Sequence, residues 1–381
     1  MIKLLTIIGV RPQIIKAAAL SRAIKNNFSN RIQEVIIHTG QHYDANMSQV
    51  FFDELDIPKP NYNLNVGSGS HGQQTALMLT GIETILLKEK PNAIILYGDT
   101  NSTLAGALAA SKIEIPIIHI EAGLRSFNKS MPEEINRIMC DHVSTLLFSP
   151  TKTGYNSLIK EGFKENNLPP YNSSNPKIYH CGDVMYDNSI YFSDIAQTKT
   201  TILKDNNLQN EKFILVTIHR NANTDEPKRL NSIISALNKI ATENKIRIII
   251  PLHPRTTKQL QLISEKLYEE LKSNEYITLL PPVSFLEMIA LEKNAKLIIT
   301  DSGGVQKEAF FFKKICLILR PETEWVELVD CGAAKIVDAN EMEIIKEYNH
   351  YATLKRMKYP NLFGDGKAAH FICTEIIKHI K

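Results

Sequence analysis

No stretch of the chain approaches the roughly 18 consecutive apolar residues that a bilayer-spanning helix needs, so no membrane span is expected. Its apolar start, Met1 to Gly9, is followed by Arg11 and Lys16 before the small residues Ala17 to Ala19, and reads as a buried strand, not a secretion signal. The five cysteines, Cys140, Cys181, Cys316, Cys331 and Cys373, form no CxxC pair, which argues against a metal site and suits free thiols in a reducing cytoplasm. An excess of one charge is also missing. Lysine and arginine number 44 against 41 aspartates and glutamates, and the net +3 is spread without long blocks, unlike a nucleic-acid or membrane-surface binder. GxSxG is absent, which disfavours a serine hydrolase. What remains is a globular composition, 43% hydrophobic and 22% charged. At 381 residues the chain suits two domains of ordinary size.

Two series of short apolar runs organise it. Lys3 to Ile8, Glu34 to Thr39, Ala93 to Tyr97, Ile115 to Ile120 and Thr145 to Phe148 are each followed by a polar or glycine-containing turn and a helical pattern. Lys212 to Ile218, Arg247 to Pro251, Tyr276 to Leu280, Leu297 to Thr300 and Cys316 to Leu319 repeat the scheme. Runs apolar at every position suit parallel strands buried on both faces, so the expected class is α/β with two doubly wound domains. Turn formers crowd Glu165 to Lys177, which places one domain over 1–170 and the other over 175–360, with a terminal helix over 368–381 that packs on the first.

In open α/β sheets ligands bind beyond the carboxyl ends of the strands, so the residues just after each run carry the functional argument. Gly9-Val10-Arg11-Pro12-Gln13 follows the first strand, with Pro12 suited to a first helical turn and Lys16 about one turn on. This helix start offers N–H groups and two cations to a phosphate; the plain alternative is a solvated charged loop. No GxGxxG stands at this turn, against a dinucleotide cofactor. Thr300-Asp301-Ser302-Gly303-Gly304 ends a strand and opens a helix, an arrangement that cradles a pyrophosphate, with Glu308 one turn on placed to accept from ribose hydroxyls. Alternatively, Asp301 or Ser302 is an ordinary N-cap and Glu308 a first-turn acid. Asp99 and Glu121 follow neighbouring strands and are expected to share a cleft. Ser130 and Glu133 have capping-box spacing, while Glu133 and Arg137 form an i, i+4 pair; if that helix faces the cleft, Glu133 is a general base and Arg137 a charge stabiliser. His219 with Arg220, and His253 with Arg255, end two strands of the second half, which suits one site between the domains.

In order along the chain, Gly9-Val-Arg-Pro-Gln with Lys16, Thr39-Gly-Gln-His42, Gly98-Asp-Thr-Asn-Ser-Thr, His119-Ile-Glu-Ala-Gly-Leu-Arg125, Pro132-Glu-Glu-Ile-Asn-Arg137, Thr217-Ile-His-Arg220 and Asp301-Ser-Gly-Gly-Val-Gln resemble the UDP-N-acetylglucosamine 2-epimerase family. The resemblance covers nearly the whole chain. It implies two Rossmann-like domains facing a cleft in the glycosyltransferase-B manner, a cytoplasmic homodimer, and no cofactor or metal. It also implies inversion at C2 of a UDP-linked 2-acetamido sugar, by elimination of UDP to a glycal and its re-addition. Asp99, Glu121 and Glu133 are then acid/base groups, and His219 and Arg137 charge stabilisers or proton relays. Lys16 and Arg11 lie near the substrate phosphates, and His253, Ser302, Gly303, Gly304 and Glu308 hold the UDP.

Three segments depart from the common pattern. Asn221-Ala-Asn-Thr-Asp lacks a second basic residue after His219-Arg220, Thr323-Glu-Trp-Val-Glu327 replaces Thr-Glu-Arg-Pro-Glu, and Asn65-Val-Gly-Ser-Gly-Ser-His-Gly lacks the glutamine expected where some bacterial members bind an activating UDP-sugar. These variants resemble branches acting on modified sugars such as UDP-2,3-diacetamido-2,3-dideoxy-glucuronate. The expected activity is interconversion of UDP-GlcNAc and UDP-ManNAc for surface polysaccharide. The alternatives are that modified substrate, a hydrolysing epimerase that releases ManNAc and UDP, a glycosyltransferase, or a nucleotide-sugar sensor.

Overall fold

A computed structural model describes residues 1–40, 58–252, 254–263, 265–354 and 356–380, with the side chains of residues 254 and 255 outside that description. The chain forms two compact units, one made of Met1–Asn188 with Asn361–Lys381 and the other of Ser189–Pro360. It passes between them within the helix Val184–Lys199 and again after Pro360.

In the first unit the strands are β1 (Ile2–Ile8), β2 (Ile32–His38), β3 (Tyr62–Asn63), β4 (Ala93–Tyr97), β5 (Ile117–Ile120), β6 (Leu146–Ser149) and β7 (Lys177–His180). They make a wholly parallel sheet in the order β3-β2-β1-β4-β5-β6-β7. The second unit has β8 (Phe213–Thr217), β9 (Arg247–Pro251), β10 (Ile277–Leu280), β11 (Leu297–Thr300), β12 (Ile315–Ile318) and β13 (Ala334–Ile336), parallel in the order β10-β9-β8-β11-β12-β13. Each is the doubly wound, Rossmann-like α/β arrangement expected from the apolar runs. All residues of β4, β5, β8 and β11 are buried, as strands covered on both faces must be.

The strands that the apolar runs do not announce are β3, β7 and β13, all at sheet edges. β3 and β13 are two and three residues long, and β7 alternates buried Ile178 with partly or fully exposed neighbours, so none has the continuous apolar signature. The turn-rich segment 165–177 precedes β7 on the surface, where Asn175 Nδ2 donates to the carbonyls of Leu168 and Pro170.

Strand order reverses between β1 and β4 in the first unit, and between β8 and β11 in the second. Chains leaving such neighbours turn to opposite faces of the sheet and open a crevice at the carboxyl edge. Every candidate residue of the first series follows β1, β4 or β5. Those of the second follow β8, β9 or β11. No described helix is long and apolar enough to cross a membrane.

The terminal helix Ala368–His379 belongs to the first unit and packs on the helix Arg11–Ala23. Its N-terminus has no cap from its own N-cap residue Lys367. Instead Asp187 accepts from the N–H groups of Ala368 (3.1 Å) and Ala369 (2.8 Å), supplying from far along the chain the partners that a helix start requires. Replacing Asp187 by alanine should therefore destabilise the first unit by about 1–2 kcal/mol and expose the terminal helix to proteolysis. Burial pushes the Asp187 carboxyl up to about 6, above its unfolded value, despite those two N–H donors. The native state thus holds the proton more tightly than the unfolded chain. This residue's contribution to stability should decline as pH rises from roughly 4 to 6 and stay level above. Urea titrations of wild type and Asp187→Ala across that range measure both effects; a difference that grew with pH would contradict the sign.

Candidate active site

At the first switch point the chain leaves β1 through Gly9 and enters the helix Arg11–Ala23 with Val10 as N-cap and Pro12 in the first turn. Gln13, buried, ties this start to the neighbouring strand: its Oε1 accepts from Gly9 N (2.9 Å), and its Nε2 donates to the carbonyl of Tyr97 (2.9 Å) and to Thr103 Oγ1 (3.0 Å). Arg11 is exposed at the helix start, whereas Lys16 reaches back under the crevice to an ion pair with Glu121.

Glu121 stands just beyond β5 with a positive φ of 73°, a backbone state that costs a non-glycine residue about 1 kcal/mol or more. Its N–H and that of Ala122 both donate to the Phe148 carbonyl (3.0 Å each), which pins the turn. Gly98 likewise has φ 62°, and a Cβ there would lie 3.1 Å from the Lys16 ammonium, so both conformation and space ask for glycine. Asp99 follows. Its Oδ2 accepts from Arg137 Nη2 at 2.5 Å, and its carbonyl accepts from Asn136 Nδ2 at 2.9 Å. Asp99, Glu121, Lys16 and Arg137 are thus gathered at one sheet edge, each carboxylate beside one cation.

The helix Pro132–Val143 starts differently from its sequence pattern. Met131, not Ser130, is the N-cap, and no side chain caps it. Ser130 is turned into a local motif, its N–H and Oγ both donating to Asn128 Oδ1 (3.1 and 2.6 Å). The expected i, i+4 partner of Arg137 is replaced by buried Glu134, whose Oε2 accepts from Arg137 Nη1 at 2.9 Å. Glu134 also accepts from the N–H groups of Ser126 and Phe127 (2.9 Å each). Burial favours the neutral acid, but these donors outweigh it and hold Glu134 below the usual carboxylate range. Glu133 itself is exposed in the first helical turn.

In the second unit His219 stands two residues beyond β8 and Asp301 just beyond its neighbour β11. Asp301 is fully buried and accepts from His219 N (3.1 Å), Arg220 N (3.0 Å), Asn223 Nδ2 (3.1 Å) and the half-exposed His219 ring through Nδ1 (3.1 Å). Burial would raise its pKa, and these donors bring it below the ordinary value instead. Asn223 is fixed in turn by Arg229, which bonds its Oδ1 (2.9 Å) and pairs with Asp338 (2.5 Å). Asp301 therefore orients the histidine, and Ser302 is the residue that caps the helix Gly303–Phe311, its Oγ accepting from Val305 N. A Cβ on Gly303 would lie 2.2 Å from Glu324 Oε1, a carboxylate that Arg320 pairs at 2.9 Å; the helix start thus already receives an anionic group. Gly304 leaves space, with Glu308 Oε2 4.0 Å from its would-be Cβ. The Glu292 carboxyl is entirely buried, and burial together with the neighbouring Glu308 carboxylate pushes its pKa well above the ordinary value. Trp325, in the divergent segment, is buried with Lys307 Nζ 4.2 Å above its ring.

His253, and the Gln41-His42 part of the early motif, lie outside the described residues. Asp301, Glu134, Asn136 and Gln13 were not among the expected site residues. All four lie within the motifs that carry the family resemblance, and each is a polar side chain just past a strand or near a helix start, but neither signal says which atoms it would hold. Among the described residues no three His, Cys, Asp or Glu side chains gather as metal ligands would.

The family model for UDP-N-acetylglucosamine 2-epimerase matches residues 24–378. A UDP-2,3-diacetamido-2,3-dideoxy-D-glucuronate 2-epimerase of Pseudomonas aeruginosa is 47% identical over 99% of both chains. A UDP-N-acetylglucosamine 2-epimerase of Methanocaldococcus jannaschii is 44% identical over 97% of both. The crystal structure of Methanocaldococcus jannaschii UDP-GlcNAc 2-epimerase in complex with UDP-GlcNAc and UDP is similar at a TM-score of 0.84 and 43% identity, covering 99% of this chain and 100% of that one.

Asp301→Asn should cost about 2–3 kcal/mol at pH 7, because an amide would turn a donor toward the N–H groups the carboxylate now satisfies. The native carboxylate has the lower pKa, so its stabilisation is complete above the unfolded value near 4 and fades as pH falls through the folded one. Denaturant unfolding at pH 7 and pH 3 should show the penalty shrinking in acid. An equal penalty at both would mean that the charge of Asp301 is not what holds the turn.

Proposed function

Since the chain belongs to the UDP-N-acetylglucosamine 2-epimerase family, we propose that it interconverts UDP-GlcNAc and UDP-ManNAc by moving the C2 proton from one face of the sugar to the other. The enzyme is a UDP-sugar 2-epimerase, an isomerase. The observation that carries the reading is the set of paired charges at the first switch point, Lys16 with Glu121 and Arg137 with Asp99.

The C2 hydrogen of a 2-acetamido sugar is poorly acidic, so its removal must be coupled to departure of the group on C1. A carboxylate takes the C2 proton, the C–H electrons become the C1=C2 bond of a glycal, and the C1–O bond breaks with its electrons leaving on UDP. Return follows the reverse course with the proton delivered to the opposite face. Two faces require two proton-transfer groups, and Asp99, Glu121 and Glu133 are the candidates. Lys16 and Arg137 neutralise carboxylates that would otherwise repel a diphosphate, and stabilise negative charge as it develops. Arg11 adds a donor at a helix start. His219, aimed by Asp301, serves as charge stabiliser or relay, and Ser302, Gly303, Gly304, Glu308 and His253 hold the UDP.

A second reading shares this chemistry and changes the sugar. The diacetamido-glucuronate epimerase is slightly the more similar of the two relatives, at 47% against 44% identity, and the Asn221 and Trp325 segments depart from the common pattern. Either substrate fits a precursor role for surface polysaccharide in the cytoplasm. The enzyme is further proposed to work as a homodimer.

Proton NMR of UDP-GlcNAc with the enzyme in D2O should show UDP-ManNAc appearing with deuterium at C2. Glu121→Gln and Asp99→Asn should each slow the exchange by about 100-fold or more. UDP with free ManNAc would instead identify a hydrolysing enzyme. No exchange with UDP-GlcNAc but exchange with the diacetamido uronate would move the assignment to the second substrate, and silence with both would end the proposal.

A further inference from the structure

His119 lies on β5, two residues before Glu121, and is completely buried. Both ring nitrogens have partners: Nδ1 faces Asp141 Oδ1 at 2.6 Å and Nε2 faces the Gly98 carbonyl at 2.8 Å. A carbonyl oxygen only accepts, so Nε2 carries a hydrogen. Asp141 Oδ2 accepts from Gly123 N (3.1 Å) and from Arg125 Nη2 (2.8 Å); burial would favour the neutral acid, but His119 and Arg125 hold Asp141 below the ordinary carboxylate range, which places the hydrogen shared with Oδ1 on Nδ1. The ring is then an imidazolium. Burial works against that charge, but Cys140 and Asp141 overcome it and the His119 pKa lies well above its ordinary value. Charges alternate outward from it, His119, Asp141, Arg125 and Glu161, the last two paired at 2.6 Å, so the buried group is balanced.

The three elements that meet at this ring are those carrying the candidate proton-transfer groups. Gly98 precedes Asp99. His119 itself is in the strand that delivers Glu121. Asp141 is on the helix Pro132–Val143, which carries Glu133 and Arg137. We propose that His119 is a positioning residue for epimerisation, clamping the Gly98 carbonyl and the Asp141 carboxylate so that Asp99, Glu121 and Arg137 keep their relative places. The proposal rests on the proton-transfer roles given above. The geometry gives the Gly98 bond the larger part, because Gly98, with no side chain and a positive φ, is held through its N–H by the Ile120 carbonyl (3.0 Å), while its own carbonyl, which leads into Asp99, rests on His119.

Two substitutions separate the bonds. Asparagine at 119 places an amide N–H where Nδ1 is and gives up the Gly98 bond; glutamine places one where Nε2 is and gives up the Asp141 bond. His119→Asn should lower kcat for C2 exchange by roughly 100-fold, since a shift of about 1 Å at a reacting group has that effect. Its KM and its affinity for UDP should change less than about two-fold, because the helix start and the histidine proposed to hold the UDP are on the other unit, and Arg11 and Lys16 are on a helix that neither His119 ring nitrogen contacts. His119→Gln should recover a substantial part of the lost kcat. In the wild-type enzyme, nitrogen-15 NMR at pH 7 should find both His119 nitrogens protonated. A wild-type kcat in His119→Asn, a loss of kcat matched by an equal loss of UDP affinity, or a singly protonated ring at pH 7 would each overturn the proposal. The NMR measurement decides if the variants do not fold. If the wild-type enzyme itself exchanges no C2 proton, it is the functional reading that fails, a result the variants cannot imitate.

Discussion

A charge moved from water to the carboxyl edge of a parallel sheet has to find a partner there, and in this protein the partners decide where Asp99, Glu121, Arg137 and His219 stand. The desolvation cost of a lone buried carboxylate or guanidinium is several kcal/mol, far beyond what marginal stability tolerates. Asp99 with Arg137, Glu121 with Lys16, Asp141 with His119 and Arg125, and Asp301 with its ring of donors are four solutions to that one requirement. Each solution fixes an angle as well as an energy. A two-point contact to a carboxylate leaves little freedom to the turn that carries it.

The two units meet the requirement in different ways, and the difference matches the tasks assigned to them. The first pairs the candidate proton-transfer carboxylates Asp99 and Glu121 with side-chain cations, as the proton transfer and departure of an anion proposed for it both demand. The second spends its buried carboxylate on backbone N–H groups and one imidazole, leaving the start of the helix Gly303–Phe311 as the anion-attracting element. The Glu324 carboxylate against Gly303, tied to Arg320, reports the same preference for negative charge at that place.

Much of this was legible from residue order. Ten of the strands announce themselves as continuous apolar runs because both their faces are covered, and the strand-end rule then points to Asp99, Glu121, His219 and Ser302 without any contact being known. The edge strands β3, β7 and β13 escaped because a short, half-exposed strand has no such run. Inside the site, sequence spacing misread the helix Pro132–Val143: the pattern Ser130-x-x-Glu133 suits a capping box, but Asn128 captures the serine and Pro132 sets the helix start one residue on. Which of two adjacent glutamates turns inward was equally hidden. Only the loop at Ser126 and Phe127, whose N–H groups need an acceptor, decides for Glu134. His119 opens one of the family motifs, but its pairing with Asp141 was hidden for a related reason, since a polar residue inside an apolar run carries no mark of a partner 22 positions away.

The conformation of Glu121 brings these strands of argument together. A left-handed backbone at glutamate is unfavourable, and nothing in the local sequence asks for it; it persists because Phe148 receives two successive N–H groups, Lys16 holds the carboxylate, and the sheet on either side admits no slack. A relaxed, extended residue at this place would carry the side chain along the strand direction and away from Lys16. The strain is therefore the means by which a carboxylate immediately beyond a buried strand is turned back over the sheet edge, beside Gly98, whose own left-handed conformation and missing side chain leave the room it occupies. Two adjacent strand ends, each with one residue of positive φ, thus aim two acids at one place, and the same bonds that make those conformations tolerable also keep them from relaxing.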